Sequence, residues 1–370
     1  MKPIHHTVDR ATGPILLVGS ILHGLLFAAF AMSLLLADVS AVRAAEDAPA
    51  CQGRDLYAEL KVKKPELAAK AMEAFEATPN RQGRFWRIDK DGVAPSWLFG
   101  TIHTTDPRTL ALPDAVSAAF DQSDIFVMEA ADVRSKLSAT LAMARHPSLF
   151  VYTDGKSAFD EMDGEDRQAI EAALVRRGID PSTAVKLKPW LIAGMLAAPP
   201  CELKRKAAGL DFLDNELANK ADDAGKDVEG LETMVGQMEA LSAMPMESHI
   251  EGLIDAADLD EYAADMTETL TARYLAGDIG LIMPALEAIS EDLQGPLDSQ
   301  QREAAEVFEE RVVLARNHHM ADASGQYLEN GNAFIAIGAL HLPGEEGVVE
   351  LLRKAGWTLT AVPVGQPNDE

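Results

Sequence analysis

Two short apolar segments, each followed by the pattern Gly-x-x-His, constrain the fold of this 370-residue chain more than any other feature. The first is Ser96-Trp-Leu-Phe-Gly-Thr-Ile-His103, and the second is Ala333-Phe-Ile-Ala-Ile-Gly-Ala-Leu-His341. Each predicts a buried strand that stops at a glycine, which permits a sharp turn or a close backbone approach. Open α/β sheets bind ligands beyond the carboxyl ends of their strands, so we expect His103 and His341 to share one site.

The segments around these two patterns alternate between strand-like and helix-like sequences. Residues 84–99 predict a hairpin, 112–120 a helix, and 123–129 a parallel strand that ends in a carboxylate. Helical periodicity dominates from about 132 to 325, except for one short strand at 226–232, and a strand, a helix and a strand then close the chain. The sequence therefore predicts an α/β fold with a mixed, largely parallel sheet. Both ends of the chain build that sheet, and a large helical insertion separates them.

Residues 1–45 have the features of an export signal. Lys2 and Arg10 precede an apolar run over residues 15–36, and small residues then lead to an acidic stretch. The run is also long enough to span a bilayer, so an uncleaved N-terminal anchor is the alternative. Both alternatives predict a periplasmic or secreted protein with a single domain over 46–367. Contact with a membrane is expected only through an uncleaved N-terminal segment.

Charge and cysteine content limit the partners and the compartment. The net charge is −26 and no basic cluster interrupts it, which argues against nucleic acid and anionic membrane surfaces as partners. The chain has two cysteines, Cys51 and Cys201, and in an exported protein such a pair predicts one disulfide. Closing a loop of about 150 residues contributes roughly 4–5 kcal/mol to stability in the chain-entropy account.

Three residues at predicted strand ends carry the candidate chemistry, namely His103, Glu129 and His341. Two imidazoles and one carboxylate are a usual ligand set for Zn, Mn, Fe or Co, with positions left open for water. The same three side chains also support metal-free hydrolysis, in which one histidine is the general base on water and Glu129 orients it or acts as a second acid or base. Each residue alone is explained as well by a hydrogen-bonded strand-end histidine or a solvated acid. The pairing of two strand ends is what favours a shared site.

Three further residues occupy positions from which they can face that site. Glu232 ends the short predicted strand, and a helix N-terminal acid is its alternative explanation. Arg316 and Asn317 lie on the last long predicted helix, either directed into the site or on the helix surface. Asp106 and Arg108, just after the first Gly-x-x-His, are either loop charges or substrate contacts, and loop charges are the preferred interpretation. The sequence has no nucleophile elbow and no Cys–His setting, which argues against a nucleophilic hydrolase.

These motifs, in this order, resemble the TraB/PrgY/GumN family, which includes the Tiki metalloproteases. The resemblance covers roughly residues 51–363 and is carried by segments at 97–103, 112–113, 123–129, 188–190, 230–233, 316–317 and 337–344. It implies an α/β fold related to erythromycin esterases and to haem-binding ChaN-like proteins. It also implies an active site formed by the two Gly-x-x-His patterns and the intervening glutamate.

The resemblance to Tiki proteins implies a divalent metal, Mn or Co with Zn as a further option, at His103, Glu129 and His341. By the same motif match, Glu232, Arg316 and Asn317 line the site. Arg316 is expected to stabilise the developing oxyanion, while Glu232 and Asn317 contact the substrate. The leading hypothesis is an exported metal-dependent hydrolase, a peptidase, acting on a peptide or small ester.

Two alternatives to that hypothesis stay open. One is a metal-free ester hydrolase that uses the same residues. The other is a haem- or metal-binding protein in which the histidines ligate and no turnover follows. An aromatic content of 6% mildly favours hydrolysis, because a haem site is usually lined with many aromatic side chains.

Overall fold

A computed structural model describes residues 51–160, 162–297 and 299–364, so the expected export signal lies outside the described residues. The described residues contain one six-stranded sheet with the strand order β4-β3-β5-β2-β1-β6. The strands are β1 (Phe85–Lys90), β2 (Val93–Thr101), β3 (Ile125–Met128), β4 (Asp227–Gly230), β5 (Ala333–Gly338) and β6 (Thr358–Ala361).

The four strands β4, β3, β5 and β2 run parallel, while β1 is antiparallel to both β2 and β6. Thr101 at the end of β2 pairs with Gly338 at the end of β5. Met128 of β3 pairs with Ala336 on one side and with Gly230 on the other. The carboxyl ends of four neighbouring strands therefore lie along one edge of the sheet. The predicted mixed, largely parallel α/β fold is confirmed, and the inserted region contributes β4.

Helices make up most of the remaining chain. The first group is α1 (Leu56–Lys63), α2 (Pro65–Ala77), α3 (Pro107–Leu110), α4 (Asp114–Gln122), α5 (Lys136–Arg145), α6 (Gly164–Arg176), α7 (Pro181–Ala184), α8 (Pro189–Ala197) and α9 (Pro200–Ala207). The second is α10 (Leu213–Asp223), α11 (Met234–Ser242), α12 (Met246–Asp258), α13 (Ala263–Ala276), α14 (Ile282–Gln294), α15 (Ser299–Phe308), α16 (Ala315–Asn330) and α17 (Val348–Lys354). A π-helical stretch, Glu309–Leu314, joins α15 to α16. None of the helices in the described ranges is both long and apolar enough to cross a membrane.

Apolar layers cover both faces of the sheet, and every residue of β5 is buried between them. Such burial on both faces is expected of a central parallel strand and explains its unbroken apolar sequence. Helices α4 and α10 pack on one face, against the side chains of Phe99, Phe126 and Phe334. Helices α16 and α17 pack on the other, against Ile335 and Ile337. This packing fixes both α10 and α16 beside the carboxyl edge of the strands.

The predicted disulfide between Cys51 and Cys201 is confirmed, with the two Cα atoms 5.4 Å apart. It joins the start of the described chain to helix α9, 150 residues later. The bond therefore links the segment before α1 to the helical insertion.

Candidate active site

The carboxyl edge of the parallel strands presents the predicted site residues. Glu129 directly follows β3, and His103 lies two residues beyond β2. His341 ends a short 3-10 turn that follows β5, and Glu232 lies two residues beyond β4. Four strand ends thus deliver four polar side chains to one edge, as the two Gly-x-x-His patterns predicted for His103 and His341.

Both pattern glycines allow a close approach of the backbone. A Cβ atom on Gly338 would lie 3.0 Å from Glu129 Oε1 and 3.5 Å from His341 Cδ2. The Gly338 amide donates to that same Glu129 oxygen over 2.6 Å. A Cβ atom on Gly100 would lie 2.6 Å from the Leu342 side chain. At Gly338 the reason is space and not backbone strain, since its φ is an ordinary −52°.

Glu129 is a fixed anion at the centre of the site. Its Oε2 accepts hydrogen bonds from Arg316 Nη2 over 2.8 Å and from Gln237 Nε2 over 3.3 Å. Burial acts to raise the pKa of this carboxyl, but the charge of Arg316 and then of the two histidines outweighs it. The pKa falls to about 2, so the carboxylate is ionised at neutral pH.

Arg316 joins Glu129 to Glu232. Its Nε lies 3.0 Å from Glu232 Oε2, and its Nη2 donates to the same oxygen over 2.7 Å. Gln237 Nε2 also donates to Glu232 Oε2, over 3.2 Å. Burial acts to lower the pKa of Arg316, but the charges of Glu129 and Glu232 outweigh burial. The pKa is therefore raised above its usual range. The guanidinium is a permanent cation, and its pairing with the two carboxylates stabilises the buried charge. The hydrogen bonds to both carboxylates also hold it in one orientation.

Asn317 fixes the tautomer of His341. The Asn317 amide nitrogen donates to the backbone oxygen of Glu346 over 2.9 Å, so its Oδ1 must be the atom 2.6 Å from His341 Nδ1. Nδ1 therefore carries the proton and Nε2 carries the lone pair. Burial and then the charge of Arg316 lower the pKa of His341 to about 4, so the ring is neutral.

The lone pair of His341 Nε2 faces the carboxylate of Glu129, 3.8 Å from Oε1. Both atoms are acceptors in these protonation states, so no hydrogen bond can join them directly. A cation, or a donor such as water or a substrate N–H, satisfies both at once.

His103 is paired with an aspartate on the helical insertion. His103 Nε2 lies 3.6 Å from Asp214 Oδ2, while Asp214 Oδ1 accepts from the Thr101 hydroxyl over 2.7 Å. Burial acts to lower the pKa of His103, but the charge of Asp214 outweighs it and the pKa is raised. The His103 charge also lowers the pKa values of Glu129 and His341, which places the three groups within electrostatic reach.

Residues 84–361 match the TraB/PrgY/gumN family. The protein belongs to this family. Its two Gly-x-x-His patterns and the strand-end Glu129 lie inside the matched range.

Curated relatives of the chain are Tiki proteins from vertebrates. It is 23% identical to "Metalloprotease TIKI1" of Xenopus tropicalis over 317 residues, which are 76% of this chain and 62% of that protein. The human protein of the same name is 23% identical, with the same two coverages. "Metalloprotease TIKI2" of Danio rerio is 23% identical over 74% of this chain and 59% of its own length. The chain thus spans about three-fifths of the relatives it matches. No solved structure gives a significant match.

The relatives' name implies a divalent metal, and the donor atoms of this family member suit one. His341 Nε2 has its second nitrogen oriented by Asn317, which is the arrangement that metal-ligating histidines need. Glu129 Oε1 faces that nitrogen. In the part of the chain that is described, no three His, Cys, Asp or Glu side chains converge on one point, because His103 is turned to Asp214. His341 and Glu129 thus offer two donor atoms of the kinds that a divalent ion takes, and His103 lies beside them.

The structure also shows which residues sequence reasoning missed. Asp214 and Gln237 lie in the first turns of α10 and α11, where an acid or an amide is an ordinary helix residue. Only the packing of those helices brings them to the strand ends. Arg108 forms ion pairs with Asp106 and with Glu268 on α13. These contacts attach the loop after His103 to α13, in keeping with the loop role preferred for Asp106 and Arg108.

Proposed function

We propose that this protein is an exported metal-dependent hydrolase, and specifically a peptidase, whose site is His103, Glu129 and His341. Membership of a family that includes named metalloproteases supports the hydrolase class. The observation that carries the proposal is the Nε2 lone pair of His341, which Asn317 fixes against the ionised Glu129. Two facing acceptors of this kind favour a cation between them.

His341 and Glu129 would hold a divalent ion, and a bound ion lowers the pKa of a water and polarises a carbonyl. The protein groups around that pair supply orientation and proton transfer. Arg316 keeps Glu129 ionised and directed at the site. Asp214 raises the pKa of His103 and so favours its protonated form, which suits protonation of a leaving group.

The hydrogen bonds of Arg316 use its Nε and Nη2 atoms, which are committed to Glu129 and Glu232. Stabilisation of an oxyanion would therefore fall to Nη1. Glu232 would act on the substrate through Arg316, and Asn317 through His341. The predicted substrate contacts of both residues thus become indirect in this proposal.

Export through residues 1–45, and a periplasmic or secreted location, belong to the same proposal. A disulfide is the support for it, because such bonds persist in oxidising compartments. The relatives' name supports a peptide substrate, and a small ester is the alternative for the same chemistry.

The test is metal binding and hydrolysis by the purified protein. We expect titration calorimetry to detect Mn²⁺ or Co²⁺ binding, and a peptide library to be cleaved only with the metal. His341→Ala and Glu129→Gln should each abolish both signals. His318→Ala is the matched control, because that histidine lies on α16 with its side chain 54% exposed. Retention of metal and cleavage by His341→Ala would contradict the proposal.

Metal-free ester hydrolysis is the second candidate, favoured by the pairing of His103 with Asp214. An aspartate beside an imidazole supplies a general base without a metal. Ester cleavage that survives exhaustive chelation, and that Asp214→Asn removes, would establish this candidate instead. A Soret band in the purified protein, with no turnover, would point to a haem-binding protein.

A further inference from the structure

Helix α9 is held in place by polar contacts and not by an apolar face. Its buried members are Glu202 and Arg205, whose exposed fractions are 4% and 6%. Leu203 is its one large apolar side chain, and it packs half-buried against Ala198. Helices normally dock through an apolar stripe, so the position of α9 depends on its charged residues and on the disulfide at Cys201.

The Glu202 carboxylate holds the two residues that follow His103. Its Oε1 accepts from the Thr104 hydroxyl over 2.9 Å. Its Oε2 accepts from the backbone amide of Thr105 over 2.9 Å and from the Thr105 hydroxyl over 2.7 Å. Arg205 donates to Oε1 over 3.3 Å and balances the charge. Three donors from one loop therefore converge on a single buried anion.

The disulfide ties this carboxylate to a fixed part of the molecule. Cys201 precedes Glu202 in the chain, and Cys51 Sγ lies 4.0 Å from Glu202 Oε1. The segment after Cys51 is bound to α13, because the Arg54 amide donates to Asp265 over 2.7 Å and the Leu56 amide donates to Thr269 over 2.9 Å. A continuous path thus runs from α13 through the disulfide and Glu202 to the His103 loop.

We propose that Glu202 is a positioning residue for His103, and that the Cys51–Cys201 disulfide keeps Glu202 in place. The inference rests on the proposed function, because it assigns His103 to the hydrolytic site. Leaving the buried Glu202 carboxylate without its partners costs free energy. A displacement of α9 should therefore also displace the loop that follows His103. Reduction by a dithiol would convert the disulfide to two thiols, with the dithiol oxidised to its own disulfide, and would release α9 from Cys51.

Hydrogen exchange at the Thr105 amide tests this directly, because the amide is bonded to Glu202 and needs no substrate to report. We expect exchange to accelerate at least tenfold in Glu202→Gln, in which an amide replaces one accepting oxygen. Thr105→Val, which removes the hydroxyl at constant shape, should accelerate exchange at the same amide, whereas Thr105→Ser should not. Treatment of the native protein with dithiothreitol should have the same effect as Glu202→Gln. Lys204→Ala, an exposed change on the same helix, is the control.

Hydrolysis supplies the second measurement. Glu202→Gln should lower kcat about tenfold while KM changes less than twofold, because the variant alters the His103 loop and leaves the substrate contacts unchanged.

Fast exchange in Glu202→Gln with slow exchange after reduction would overturn the part assigned to the disulfide. Unchanged exchange in Glu202→Gln and Thr105→Val would overturn the whole inference. A wild-type protein with no hydrolase activity would refute the proposed function alone, since the exchange results would still decide whether Glu202 holds the loop.

Discussion

At the scale of single residues, the site depends on atoms whose hydrogen-bonding role or position is fixed by a neighbouring contact. Asn317 accepts from His341 only because its amide nitrogen is bound to a backbone carbonyl. Gly338 lies against the Glu129 carboxylate, where a Cβ atom would come to 3.0 Å from Oε1. The sequence placed Asn317 beside the site through family resemblance, but the direction of its amide comes from the fold.

Replacing Asn317 by leucine should leave His341 without its orienting acceptor. We expect the affinity for Mn²⁺ or Co²⁺ to fall roughly 10- to 100-fold, as is usual when the partner of a metal-binding histidine is removed. Titration calorimetry measures the affinity, and thermal unfolding without metal checks the fold. Asn330→Ala, at the far end of the same helix, is the matched control. Equal affinities for the Asn317 variant and the wild type would show that His341 does not ligate.

Replacing Gly338 by alanine should push the Glu129 carboxylate away from its place. The added Cβ would come within 3.0 Å of Oε1, so hydrolysis should fall at least about tenfold. The change should also destabilise the protein by roughly 1–3 kcal/mol, measured by urea unfolding. Gly325→Ala is the control, because a Cβ there meets nothing within 4 Å and helical alanine is favourable. Similar effects of both variants would contradict the role given to Gly338.

At the scale of elements, the strands were predictable and the helical partners of the site were not. The apolar runs of β2, β3 and β5 have no competing explanation, so the shared edge of His103, Glu129 and His341 follows from parallel pairing. Helices α9, α10 and α11 carry Glu202, Asp214 and Gln237, whose identities are ordinary for helices. Their role depends on which side of each helix faces the site after packing. The hydrophobic periodicity of the sequence does not predict that orientation.

Asp214→Asn tests the contribution of α10. The amide keeps the shape and the bond to Thr101 but removes the negative charge beside His103. We expect kcat/KM to fall roughly 10- to 100-fold, while the affinity for metal stays within threefold. Steady-state kinetics at saturating metal measures the loss. Asp223→Asn, an exposed change at the other end of α10, should be neutral. Activity retained in the Asp214 variant would show that His103 acts without this partner.

At the scale of the whole molecule, packing of the helical region creates a pH dependence unrelated to the site. Glu287 on α14 has its side chain 17% exposed and lies 3.8 Å from Lys70 on α2. Burial raises the pKa of this carboxyl to about 7, and Lys70 only partly opposes the rise. The ordinary value of about 4.5 applies to the unfolded chain. Between pH 4.5 and about pH 7, the Glu287 carboxyl is therefore protonated in the folded state and ionised in the unfolded state.

The contribution of Glu287 to stability should therefore fall as the pH rises from about 4.5 to about 7, and its penalty should be complete above that window. Glu287→Gln removes the ionisable group, so the stability of this variant relative to the wild type should grow across that window and reach about 1–3 kcal/mol at pH 8. Urea unfolding at several pH values measures both effects. Glu66→Gln, an exposed change of the same charge on α2, is the control. A Glu287 variant with the wild-type pH slope would show that Glu287 is ionised in the folded state at neutral pH, with its carboxylate satisfied by Lys70.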